Sequence, residues 1–315
     1  APPRGAHTAL RLAMTMQQIP HDHPTRTALV LGGGGSAGNA WLIGVVAGLA
    51  ESGVPVHYAD LLVGTSAGAT AAAQLCGADP AELLRQVLET PVPAARPARP
   101  GAAGGRGPMT DHLARTQALI DAATDPADMR RRIGAGALEL ADADPDLRDR
   151  WRSIVGSRLP VQDWPSRQVL ITAVDAATGD PVVLDAGSGV DLVDAVAAST
   201  SGAAAYRVGS RSYVDGGYRT NADNADLAAG YDQVLVLSPL GGRTRTPRSW
   251  GLHLDTQVAG LREAGSEVTV ILPDADALAA FGDNLMDPST RPPAARAGHT
   301  QGLAAASDLT RAWAG

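Results

Sequence analysis

The sequence predicts an α/β fold, a mostly parallel sheet covered by helices, and two features carry that expectation. Short apolar runs alternate with helical stretches, and the joints between them are glycine clusters that let the chain turn tightly. A strand over 28–31 enters a glycine loop over 32–38 and then a helix over 39–52 that stops at Gly53. The cycle repeats at once, with an apolar strand over 61–63, a turn over 64–68 and an Ala-rich helix over 69–76 that ends near Gly77 and Pro80.

Residues 91–108 are rich in Pro, Ala, Gly and Arg, the composition of a mobile loop, and lead into polar helical stretches over 111–123, 127–142 and 145–157. The region around 91–160 is therefore expected to form a helical cap on one domain spanning 25–315, with 1–24 as a flexible extension. The sheet resumes with a strand over 169–174, a turn over 177–180 and a hairpin partner over 182–184. A helix over 190–198, strands over 213–214, 233–237 and 268–272, and a closing helix over 303–313 complete the pattern.

Composition narrows the classes of function. With 315 residues, 44% of them apolar and 19% charged, the chain buries an ordinary globular core. A formal net charge of -7 and no basic stripe exclude a nucleic-acid partner. Cys76 is the only cysteine, so no intrachain disulfide forms, and a buried thiol on a helix is expected. No run of 18 apolar residues and no compact signal-like segment occurs, which predicts a soluble, cytoplasmic protein without a transmembrane segment.

Gly64-Thr65-Ser66-Ala67-Gly68 matches G-x-S-x-G, in which two glycines permit a strained strand-to-helix turn that presents a serine hydroxyl at the sheet's edge. Gly34-Gly35-Ser36-Ala37-Gly38 matches as well, so context decides. The strand over 61–63 runs straight into Gly64, whereas four glycines separate Ser36 from its strand. Ser66 is the candidate nucleophile, and Ser36 is assigned to capping the following helix. The glycine run suits either an oxyanion hole or a phosphate cradle, since Gly33, Gly35 and Gly38 also satisfy G-x-G-x-x-G. A dinucleotide site wants an acid at the end of the second strand, where this chain has Gly64, and the absence of lysine excludes a Walker loop.

None of the seven histidines sits in the late loop that a Ser-His-Asp triad uses. Asp215 follows a strand and precedes Gly216-Gly217, which makes it the candidate base or, alternatively, a turn-forming Asp-Gly. Trp41, Leu42, Val45 and Val46 read as core, and Arg130, Arg131 and Arg132 as a solvated helix face.

Gly33-Gly34-Gly35-Ser36-Ala37-Gly38, Gly64-Thr65-Ser66-Ala67-Gly68 and Asp215-Gly216-Gly217 together resemble patatin-like phospholipases in kind, order and approximate spacing. Asp194-Ala195-Val196-Ala197-Ala198-Ser199 and Asn224-Ala225-Asp226 extend the likeness, which runs over about 27–239. The resemblance implies a three-layer α/β/α sandwich, a Ser66-Asp215 dyad, and an oxyanion hole from the amides of Gly33, Gly34 and Gly35. It implies hydrolysis of acyl esters of lipids through an acyl-enzyme, with no metal or cofactor and only transient membrane contact. Transfer of the acyl group to another acceptor is the alternative on the same dyad, and a nucleotide-binding module on the glycine loop is the alternative from another class. That family usually carries Arg or Lys in the glycine loop, where this chain has Ala37, and it commonly has prolines where this chain reads Ser201-Gly202-Ala203-Ala204-Ala205-Tyr206.

Overall fold

The computed structural model describes residues 25–91 and 108–313. The expected extension over 1–24 and most of the loop over 91–108 lie outside the described residues. Eight strands form one mixed sheet: β1 (Thr27–Leu31), β2 (Leu61–Gly64), β3 (Gln168–Asp175), β4 (Pro181–Leu184), β5 (Tyr206–Val208), β6 (Arg211–Asp215), β7 (Gln233–Leu237) and β8 (Glu267–Ile271). They hydrogen-bond in the order β5-β6-β3-β2-β1-β7-β8, with β4 also paired to β3. Pairing is parallel from β3 through β8 and antiparallel for β4, β5 and β6.

Strand alternation sends neighbouring residues to opposite faces, so each central strand is apolar on both. Leu29, Leu31, Leu62, Leu235 and Leu237 join the core on one face. Ala28, Val30, Leu61, Val63, Val234 and Val236 join the core on the other. Helices α1 (Gly35–Glu51), α2 (Ala67–Gly77), α7 (Leu192–Ser199) and α10 (Arg291–Trp313) cover the first face, and α8 (Leu254–Glu263) covers the second. This is an α/β fold with helices on both faces of a mostly parallel sheet. Trp41, Leu42, Val45 and Val46 of α1 are all fully buried, as core residues should be.

The middle region contributes α4 (Pro108–Asp121), α5 (Pro126–Asp142) and α6 (Leu147–Gly156), each within a few residues of its expected span. Met129, Ile133 and Ala137 of α5 pack on Val174 and Val214 of the sheet, so this part of the region is a layer of the core. Arg131 and Arg132 pair with Asp128 on the helix surface, but Arg130 turns inward and donates to the carbonyls of Gly179 and Arg219.

Several elements depart from expectation, and β5, α8 and α9 (Ala275–Phe281) occupy stretches where no strand or helix is expected. Helix α1 begins at Gly35 rather than 39, because a glycine run can be helical when packing holds it. Helix α3 (Pro80–Glu89) occupies a stretch that begins with an apparent breaker, yet Pro80 sits in a first turn capped by Asp79, where proline costs no hydrogen bond. Helix α10 starts at Arg291, twelve residues early, for the same reason, with Pro292 and Pro293 in its opening turn.

Helices α1 and α10 approach so closely that a Cβ on Gly44 would lie 2.2 Å from the Ala295 carbonyl oxygen, and one on Gly298 would lie 2.4 Å from that of Trp41. Side chains at these positions would push backbone apart. Gly44→Val should therefore lower unfolding stability by about 3 kcal/mol, the upper range of overpacking costs. Urea denaturation checks this, and an undiminished midpoint would mean that the two helices do not make this contact.

Candidate active site

The register of β3 brings the two candidate residues together. Strand β4 lines one edge of β3 from Ile171 to Val174. Gly64 of β2 lies opposite Ile171, and Asp215 of β6 lies opposite Ala173, so β2 and β6 share the other edge and run toward each other end to end. Ser66 and Asp215 leave the tips of these two strands.

At Ser66 the backbone adopts φ 53° and ψ -113°, a conformation L-residues rarely tolerate and which costs on the order of 1–3 kcal/mol. Neighbouring bonds impose it. The Thr65 amide donates to the Leu31 carbonyl at 3.1 Å, and the Gly68 amide to the Thr65 carbonyl at 2.8 Å. The Ser66 amide donates to Ser199 Oγ at 2.9 Å. Gly68 is obligatory, since a Cβ there would fall 1.8 Å from the Leu31 carbonyl oxygen. Ser199 ends α7, which Asp194 anchors by accepting from the Tyr206 hydroxyl at 2.5 Å and pairing with Arg148 and Arg152 of α6.

Asp215 does not turn a hairpin. The chain after it makes a 3-10 turn over Gly216–Tyr218, and the Gly217 amide donates to Asp215 Oδ1 at 2.8 Å. Gly216 packs so tightly on β3 that a Cβ would lie 2.1 Å from Thr172 Oγ1. Burial raises the Asp215 carboxyl from its ordinary range to about 6, while the hydrogen bond from the Gly217 amide and the neighbouring Ser66 hydroxyl pull the other way. Beneath lies a closed polar cluster. Asn224 Nδ2 donates to Thr65 Oγ1 at 2.9 Å and to the Gly216 carbonyl at 3.0 Å, and Thr172 Oγ1 donates to Thr65 Oγ1 at 2.9 Å. Asn224, with φ 53°, thus bonds both the serine turn and the aspartate turn.

The glycine loop lies beside Ser66. A Cβ on Gly33 would be 3.5 Å from Ser66 Cβ. The Gly33 amide, however, donates to the Ala222 carbonyl at 2.8 Å, whereas the amides of Gly34 and Gly35 donate to no group among the described residues. Of the three glycines expected to form the hole, two have unengaged amides and the third is a strut. Ser36 is not a cap: Gly34 holds the N-cap position without any side-chain bond, and Ser36 lies inside the first turn. Although Ala37 brings no charge, Arg291 of α10 does. Its Nη1 donates to the Ser36 carbonyl at 3.2 Å and to Asn39 Oδ1 at 3.1 Å. Asn39 Nδ2 donates in turn to Gln74 Oε1 on α2 at 3.0 Å, tying the glycine-loop helix to the nucleophile helix. Arg291 and Asp223 had no motif to mark them; Ser199 and Asn224 lay in the likeness without an assigned role.

A strained serine at a strand-to-helix turn, with a buried carboxyl and an amide-lined loop beside it, defines an α/β protein of nucleophile-elbow geometry. The chain belongs to the patatin-like phospholipase family, whose model matches residues 29–228, and lipid acyl hydrolysis is the activity that membership implies. Among solved structures, VipD from Legionella pneumophila aligns with a TM-score of 0.43 and 14% identity over 90% of this chain and 67% of its own length. The type III effector protein ExoU aligns with a TM-score of 0.40 and 17% identity over 90% of this chain and 53% of its own. No curated protein matches the chain in sequence. No described helix is long and apolar enough to cross a membrane.

Because the Ser66 hydroxyl lowers the Asp215 pKa, its removal should raise it. Carboxyl carbon NMR of Ser66→Ala is expected to place the Asp215 titration above its wild-type position near 6. An unchanged midpoint would mean that the two side chains do not interact.

Proposed function

We propose that this protein is a serine acyl-ester hydrolase acting on lipid esters through a Ser66-Asp215 dyad. The observation that carries the reading is the pairing of a strained, elbow-borne serine with a carboxyl at the facing strand end. Family membership supports the ester substrate and its lipid character.

Asp215 accepts the Ser66 proton as the hydroxyl attacks the ester carbonyl, and the amides of Gly34 and Gly35 receive the developing oxyanion. Collapse expels the alcohol, which takes the proton from Asp215. Water, deprotonated by the same carboxylate, then attacks the acyl-Ser66 ester and releases the acid. A carboxyl of ordinary pKa, about 3.9, is a feeble base toward a serine hydroxyl, and the rise to about 6 strengthens it without protonating it at neutral pH. The Gly217 amide fixes the carboxylate's orientation, and Arg291 holds the first turn of α1, from which the hole is built.

Two measurements test the reading. Hydrolysis of p-nitrophenyl esters of graded acyl length should fall about a thousandfold or more in both Ser66→Ala and Asp215→Asn, with folding verified by circular dichroism. Wild-type turnover by Ser66→Ala would refute the nucleophile. At the hole, a Cβ on Gly34 would lie 2.5 Å from Pro239 Cβ, so Gly34→Val must displace the loop. A loss of about 10² to 10³ in kcat is expected in a folded variant, and an unchanged kcat would remove Gly34 from the hole.

A further inference from the structure

A second buried carboxyl lies under the glycine loop and has no part in the chemistry above. Asp223 is 1% exposed. Its backbone amide donates to Asn221 Oδ1 at 2.8 Å, yet its carboxyl Oδ1 has no partner among the described residues. That oxygen fills the space of the side chain that position 32 lacks, since a Cβ on Gly32 would fall 2.3 Å from it. The residue before it, Ala222, accepts the Gly33 amide. The carboxyl therefore forms part of the floor of the loop whose next two amides, on Gly34 and Gly35, are unengaged.

Among the described residues no cation pairs with this group. The glycine loop, β1 and β7 carry no charged side chain. The charged groups on the surrounding elements are Asp215, Arg219 and Asp226 on its own segment, Asp255, Arg262 and Glu263 on α8, and Arg291 across the loop. Among the described residues none of them hydrogen-bonds or pairs with Asp223, and Arg219 is engaged with Asp226 at 2.9 Å. An ionised carboxylate in such a place is costly, and a neutral one is tolerated.

We propose that Asp223 is a positioning residue that must stay protonated for the glycine loop to hold an oxyanion. Neutral, it leaves the floor of the loop uncharged. Ionised, it sets a negative charge beneath the amides that receive the developing negative charge, and it pulls on the loop's donors. The inference rests on the assignment of the oxyanion to Gly34 and Gly35.

The two buried carboxyls then have opposite requirements. Asp215 must be ionised to accept a proton, which holds above about 6. Burial raises Asp223 to about 7, against the pull of Ser238, so it stays neutral below that pH and loses its proton above it. The pH profile of kcat/KM should be a narrow bell whose acid limb belongs to Asp215 and whose alkaline limb belongs to Asp223.

The test is kcat/KM for a p-nitrophenyl ester from pH 5 to 9, measured on the wild type, Asp223→Asn and Ser66→Ala. Asparagine keeps the shape and cannot ionise. We expect Asp223→Asn to retain activity within about threefold of the wild type at pH 6 and to lose the alkaline limb, exceeding the wild type about tenfold or more at pH 8.5. An alkaline limb unmoved in Asp223→Asn, or a uniform loss that leaves the profile's shape intact, would overturn the proposal. Carboxyl carbon NMR of the wild type supplies a readout independent of the variant: an Asp223 titration near 7 supports the proposal, and one below about 5 overturns it. Activity surviving in Ser66→Ala would instead overturn the assignment of the nucleophile, so the two failures are distinct.

Discussion

The site depends on one register. Strands β2 and β6 run toward each other along a single edge of β3, with Gly64 opposite Ile171 and Asp215 opposite Ala173. Two strand ends separated by about 150 residues of chain thus face each other across two residues of a third strand. Everything else preserves that meeting. Gly216 has no side chain because Thr172 occupies the space, Thr65 and Asn224 close the polar cluster below, and Ser199 holds the strained serine by its amide. A slip of one residue in β3 would reverse its faces and separate the pair.

Charge is handled by burial and by polar contacts rather than by ion pairs at the centre. Asp215 is held by the Gly217 amide, and Asp223 Oδ1 has no partner among the described residues, so desolvation sets the protonation of both. Arg291 is delivered to the glycine loop by α10, from the far end of the sequence. Its bonds to Ser36 and Asn39 let a distant helix brace the first turn of α1, where position 37 is alanine. The close approach of α1 and α10 through facing glycines is what brings that arginine within reach.

Much of this was legible in the sequence, and for identifiable reasons. The parallel core strands are continuous apolar runs, with β1 and β2 ended by glycine and β7 by Ser238-Pro239, so all three fell where expected. The G-x-S-x-G around Ser66 announces itself because Gly64 and Gly68 are required by backbone contacts that no other residue fits. What stayed hidden depends on tertiary contact. Gly33 and Gly34 are alike in sequence, and only the position of Ala222 decides which amide is engaged. Pro80 reads as a breaker, because nothing local distinguishes a proline in a first turn from one that ends a helix. Arg291, Ser199 and Asp223 act through neighbours far away in the chain, and no spacing rule reaches them.

The central claim is that Ser66 is a nucleophile made reactive by Asp215, and covalent labelling by a fluorophosphonate tests it most directly, with the adduct located by peptide mass mapping. The account predicts a single phosphonyl adduct on Ser66 in the wild type, formed about a hundredfold more slowly in Asp215→Asn and absent in Ser66→Ala. An unlabelled wild type, or an adduct carried by Ser36, would contradict it.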